Sequence, residues 1–271
     1  MEIKETEVEG MKRYISVLAL DVKNTIWKVL GLLVLMSAVQ LGYFYLFLQK
    51  EVERWNETEM PWGKRGTVTS FDWMITNSYI SIFFIISAVL LWAVLIWGCS
   101  EHGKVRSKFT WHRLQIERRQ VFAVWAGYRA FLMMVMLVWQ ILLLVVMDRM
   151  YQEMWALGYA PQSLFLACYR NSFVHALIPL SDTFYMVRLI CCVLLWGMGT
   201  AYVGYMGFAA HRDGCTIVIA GMLYTLILFI IPLDLFWFKA LYMALVFSWA
   251  IGIMFSVKGS LGKHYDGQNS R

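Results

Sequence analysis

"VLGLLVLMSAVQLGYFYLFL", residues 29–48, runs for twenty residues without Asp, Glu, Lys or Arg. A helix rising 1.5 Å per residue needs about 20 such residues to cross roughly 30 Å of hydrocarbon. A buried helix of a soluble core explains one window of this kind equally well. Five more follow, at 79–99, 130–147, 189–210, 215–233 and 240–257, each bounded by charged segments. Repetition on that scale removes the soluble reading, as does a composition of 60% apolar and 15% charged residues. The expected fold is all-α: a polytopic integral membrane protein, one transmembrane domain over 1–271, with six transmembrane helices.

Orientation follows from Lys and Arg, which are retained on the cytoplasmic side near span ends. The segments before the first span, at 100–129, at 211–214 and after the last span carry five, seven, one and three of them. The segments at 49–78, 148–188 and 234–239 carry four, three and one. Sixteen against eight places both termini in the cytoplasm of a cell (plasma) membrane. The first thirty residues start acidic, at Glu2, Glu5, Glu7 and Glu9, and show no small-residue cleavage site, so the first span is expected to stay in the mature protein. The net charge of +6 belongs to this asymmetry, and no compact basic domain exists for a nucleic acid.

No ionisable residue falls near the centre of a span. Arg129, Arg188 and Lys239 stand at span ends, where long side chains snorkel to the interface. Gln40 and Gln140 lie within the first and third spans, where lining a path and hydrogen bonding between helices are the two available uses. Gly197, Ala201, Gly204 and Gly207 give the fourth span a small-residue face for another helix of this chain or of a second subunit.

Catalytic chemistry finds no motif. The five histidines never stand in H-x-x-x-H register, and neither G-x-S-x-G nor the phosphate loop G-x-x-x-x-G-K-[ST] occurs. The chain is therefore expected not to be an enzyme, to bind no cofactor or metal itself, and to hydrolyse no ATP.

Three segments outside the spans have character. Residues 11–24 repeat Met11, Ile15, Leu18 and Val22 at helical spacing, which reads as an amphipathic helix on the inner surface, in contact with membrane lipid. Residues 148–188 form a long outer segment, in which Pro161 and Pro179 frame an interfacial helix. Residues 100–124 join the second and third spans in the cytoplasm. There Gly103 breaks the chain, Thr110 caps a short helix, and Trp111 and Leu114 stand exposed on a basic background, suited to anionic lipid or to a groove in a partner. In the first outer loop, Asn56-Glu57-Thr58 matches a glycosylation acceptor, which matters only in a eukaryotic secretory pathway.

Six spans, both ends inside, an amphipathic start and the connection "E-x-G…T-x-x-R-L-x-I-x-R-R-x-V-F" resemble the permease subunits of ABC-2 type transporters, especially the compact bacterial ones. The resemblance implies that this connection is a coupling helix docked on a separate ABC ATPase (nucleotide-binding) subunit, through Glu101, Phe109, Thr110, Trp111, Arg113, Leu114, Arg118 and Arg119. It implies ATP and Mg in that partner, a second permease subunit, identical or related, and export of an amphipathic or apolar cargo such as a lipid, peptide or drug. One departure is plain: the long outer segment follows the third span, whereas many family members place reentrant outer helices between the last two. The other readings are a non-transporting sensor or immunity protein that binds a peptide or toxin at 148–188, and a surface enzyme whose site no spacing assembles.

Overall fold

The computed structural model describes residues 2–57, 69–101, 118–155, 163–180, 182–206, 212–231 and 235–266. Among them the chain is helical: α1 (Glu2–Glu57), α2 (Phe71–Asn77), α3 (Ile80–Glu101), α4 (Arg118–Met154), α5 (Ser163–Arg170), α6 (Ser172–Leu177), α7 (Thr183–Met206), α8 (Arg212–Ile230) and α9 (Phe236–Asp266). Five stretches are long and apolar enough to cross a membrane by length and composition: Asp21–Arg54, Ile80–Trp97, Gln120–Met154, Thr183–Gly204 and Trp237–Phe255. The fifth charge-free window supplies α8, whose apolar run Gly214–Ile230 is shorter than these.

Side-chain pairs fix the direction of each helix. Thr25 meets Tyr128, Ser37 meets Trp139, and Gln40 meets Gln140, so α1 and α4 run parallel. Arg129 reaches Thr200 and Gly197 abuts Ala130, so α7 is antiparallel to α4. Arg188 meets Phe229, Trp196 meets Thr225, and Gly199 abuts Met222, which turns α8 against α7. Gly221 abuts Trp249 while Tyr242 reaches Thr225, which turns α9 against α8. Phe84 packs on Phe173 and Trp92 on Trp196, so α3 descends alongside α7. The long helices thus alternate in chain order, with α8 taking its place in the alternation. The beginning of α1, the Glu101 and Arg118 ends and the far end of α9 share one end of the bundle.

The core lies around α7: 61% of its most apolar window is buried, against 17% for α9. In lipid no hydrophobic force joins helices, so close packing and polar links hold the bundle. Gly197 lets α7 approach α4 until a Cβ there would stand 2.6 Å from Ala130 Cβ. The opposite face of α9, including Leu241, Phe247, Ile251 and Phe255, is exposed as lipid-facing surface is.

Two local expectations change. Residues 11–24 are helical. They continue unbroken into the first span, because no Gly or Pro interrupts the chain between Gly10 and Gly31. Within this stretch Asp21 is buried, and so is the neighbouring Thr25, so that part packs against α4 instead of resting on a surface. The outer segment holds two short helices rather than one. The Asn171 side chain accepts from the backbone N–H groups of Phe173 and Val174 at 3.0 and 3.1 Å, starting α6 where α5 ends.

Candidate functional site

The candidates between Glu101 and Arg119 divide by position. Phe109, Thr110, Trp111, Arg113 and Leu114 lie outside the described residues. Glu101 closes α3, and Arg118 and Arg119 open α4, so the two helices deliver the 102–117 segment at the same end of the bundle. Of the small-residue face, Gly197 packs on Ala130, Ala201 is fully buried beside Val121, Trp125 and Ala126, and Gly204 is buried. Gly207 lies outside the described residues. Where described, that face is taken up by contacts within the chain.

A polar seam joins α1 to α4. Thr25 Oγ1 donates to the Asp21 carbonyl at 2.7 Å, which leaves the Tyr128 hydroxyl, 2.9 Å away, to donate to it. Ser37 Oγ donates to the Leu33 carbonyl and accepts Trp139 Nε1 at 2.8 Å. Gln40 and Gln140 are both buried and exchange two amide hydrogen bonds. The seam runs from Thr25 to Gln40 on α1 and from Tyr128 to Gln140 on α4. The bonds that cross from α1 to α4 join uncharged side chains, Thr25 to Tyr128, Ser37 to Trp139 and Gln40 to Gln140, as helix contacts in lipid do.

The end of the bundle opposite the Glu101 and Arg118 ends is built as a cap. α2, α5 and α6 pack Phe71, Met74, Ile75, Ala167, Phe173, Val174 and Leu177 into the core. Asn171 Nδ2 donates to the Asp72 carbonyl and the Thr76 hydroxyl at 3.2 and 2.9 Å, which joins α2 to the α5–α6 corner. The Tyr151 hydroxyl donates to the Thr69 carbonyl at 2.8 Å. Ser163 donates to Asp148, whose other oxygen accepts Gln152 Nε2 at 2.8 Å, tying the start of α5 to α4. Cys168 is buried in α5, and burial pushes its thiol above the ordinary range.

The two span-end arginines, Arg188 beneath the cap and Arg129 toward the opposite end of the bundle, depart from the snorkelling expectation: both are fully buried. Arg129 donates to the Thr200 carbonyl and lies over the Trp125 ring. Arg188 donates one bond, Nη2 to the Phe229 carbonyl at 3.0 Å, and its guanidinium carbon stands 4.1 Å from the ring centre of Tyr185, 5.2 Å from Phe229 and 5.9 Å from Tyr242. Aromatic faces compensate a desolvated cation in part. The sequence carries one signal of this cage, Tyr185 three residues before Arg188 on one helical face; the rings from α8 and α9 arrive only through packing. Lys239 pairs with Asp182 at 3.7 Å and lies 5.2 and 5.3 Å from the rings of Phe184 and Tyr185.

Among the described residues no group of three or more His, Cys, Asp and Glu could hold a metal ion. No family model, no curated protein and no solved structure matches the chain.

Proposed function

We propose that the chain is the permease subunit of an ATP-driven exporter in a cell membrane, crossing six times with both termini in the cytoplasm and coupled to a separate ATPase subunit through residues 100–119. The observation that carries the reading is the alternation of the long helices. It delivers the basic, Trp- and Leu-bearing 102–117 segment, the beginning of α1 and the far end of α9 to one end of the bundle, the end assigned to the cytoplasm by the Lys and Arg count. α8 runs antiparallel to both its neighbours, which suits a shorter fifth span tilted less than the others. ATPase closure, transmitted through the docked segment, would rock one helix group against another and open a path for an amphipathic cargo. Two copies, or this chain with a related one, would complete the path.

The test is isolation from source membranes in mild detergent. The reading expects an ATPase subunit to accompany the chain, with hydrolysis only in the complex, because the chain has no phosphate loop. Hydrolysis by the chain freed of every other protein would contradict it.

The cap supports a second reading, a non-transporting receptor that binds a peptide at its outer surface. Its hydrogen-bonded α2–α5–α6 corner is more built than a simple connection requires. That reading expects no ATPase partner, so the same isolation separates the two.

A further inference from the structure

Exposed rings on three of the long helices fall on two levels. α1 exposes Trp27 and Tyr45, α3 and the residue before it expose Tyr79 and Trp97, and α9 exposes Trp237 and Phe255. Each pair is eighteen residues apart, or about 27 Å of helix. Contacts between helices bring the pairs into register. Tyr43 lies 5.2 Å from Phe83, and α1 and α3 run in opposite directions, so Tyr45 stands within two residues of the level of Tyr79, and Trp27 within two of Trp97. Trp92 meets Trp196, and Lys239 lies 5.3 Å from the Tyr185 ring, which carries the same two levels across α7 to Trp237 and Phe255. Trp73 and Tyr169 belong to the cap, Tyr43 sits two residues inside Tyr45, and of the exposed Trp and Tyr rings among the described residues Tyr224 alone stands deep between the levels. Charged side chains respect the same levels. Among the described residues the exposed ones lie at or outside them, as Lys23, Lys28, Lys50 and Arg149 do, while Arg129 and Arg188 are buried within the bundle.

Trp and Tyr gather where hydrocarbon gives way to headgroups, and exposed charges stop there. Two such levels on one bundle mark the two faces of a hydrocarbon layer. They also account for the length of α8. Thr225 meets Tyr242 and Gly221 abuts Trp249, so the apolar run Gly214–Ile230 fills the interval between the levels and no more, a length of about 24 Å. The apolar stretches Ile80–Trp97 and Trp237–Phe255 hold 18 and 19 residues, fewer than the roughly 20 that cross about 30 Å. At an ordinary tilt of about 20° the interval measures about 25 Å along the membrane normal.

We infer that the exposed surface of the bundle is fitted to a thin bilayer, with about 25 Å of hydrocarbon between one face at Trp27, Trp97 and Phe255 and the other at Tyr45, Tyr79 and Trp237. In a bilayer of about 30 Å the rings of one face sink into hydrocarbon, or the lipid thins around the protein, and either costs stability. α8 meets that mismatch first, because its apolar run has no length in reserve. This deepens the six-span reading, on which it rests, and involves no ATPase.

The experiment uses the full chain, with no ATPase present, reconstituted in phosphatidylcholine bilayers of graded acyl length. Its unfolding temperature is expected to peak in the bilayer with about 25 Å of hydrocarbon and to fall in thinner and thicker ones. A temperature that climbs steadily to about 30 Å and beyond, or that ignores thickness, would overturn the fit to a thin bilayer. In the bilayer of highest stability, nitroxides placed singly through Tyr79→Cys, Ile86→Cys and Trp97→Cys, in a background free of reactive native thiols, report depth by their accessibility to oxygen and to a nickel chelate. The labels at 79 and 97 are expected at headgroup depth and the label at 86 in hydrocarbon; a label at 79 or 97 as deep as that at 86 would overturn the levels. Should Tyr79→Cys not fold, the label at 97 and the thickness series decide. On α8, labels through Ile217→Cys and Ile227→Cys are expected in opposite leaflets, told apart by an impermeant chelate added to one side. Both in one leaflet would overturn the placement of α8 and the six-span reading together, whereas a stability peak at another thickness with every label in place would overturn the thickness alone.

Discussion

The side chains of Gln40 and Gln140 form a closed ring between α1 and α4: each donates Nε2 to the other's Oε1, at 3.1 and 2.9 Å. Both are buried, so neither amide has water as an alternative partner. Replacing one leaves the other unsatisfied in apolar surroundings, at a cost of about 1–3 kcal/mol. Gln40→Leu and Gln140→Leu should each destabilise the chain, while the double variant should cost less than the two together, with a coupling of about 0.5–2 kcal/mol. Reversible unfolding in detergent measures the cycle; strictly additive singles would mean the amides do not meet.

The same pair marks how far sequence reasoning reaches. An uncharged amide inside a run such as 29–48 announces a helix contact, since lipid offers it no partner. Which amide it meets depends on how two helices a hundred residues apart are rotated, and periodicity holds no information on that. Helix existence was legible for the same reason: twenty residues without charge have few other folds available. The extent of helices was less so. α1 runs through 11–24 without a break, and Asn171 divides the outer segment, because local capping decided the second and missing breakers the first. Arg188 misleads from sequence, since a cation at a span end normally reaches water; here rings from α8 and α9 enclose it.

Close approach of α7 to α4 depends on Gly197. A methyl group there would stand 2.6 Å from Ala130 Cβ and 2.7 Å from its backbone nitrogen, so a helix backbone would have to move. Gly197→Ala should lower stability by about 1–3 kcal/mol. Gly252, in α9, has nothing within 4 Å of the added methyl, and Gly252→Ala should be neutral or gain up to about 1 kcal/mol. Thermal unfolding of the two variants side by side checks the contrast; equal effects would deny the tight crossing.

Removal of the Asn171 side chain should loosen the outer cap without touching the spans. Asn171→Ala loses both acceptor bonds to the start of α6 and both donor bonds to α2. A cost of about 1–2 kcal/mol is expected, with faster proteolysis in 69–77 and 163–180 than in the wild type. Unchanged proteolysis would show that apolar packing alone holds the cap.

The six-span plan requires α3 to cross the bilayer between the segments that flank it. A cysteine at Ser107 should react with an impermeant maleimide only from the cytoplasm, and one at Thr67 only from outside, in a background free of reactive native thiols. Labelling of both from one side would contradict a crossing between them and with it the proposed orientation.

The central claim is that residues 100–119 dock on an ATPase subunit, and co-purification of that subunit from detergent extracts, where anionic lipid is largely absent, tests it most directly. A buried Trp is a dominant anchor, so Trp111→Ala should cost about 2 kcal/mol or more of docking and strip the ATPase from the complex. Arg118→Ala, at the rim of the contact, should cost less and appear mainly as salt-sensitive assembly. If the Trp111→Ala chain instead keeps its ATPase partner and transport at the wild-type level, or if the wild-type chain brings down no ATPase at all, the permease account is contradicted.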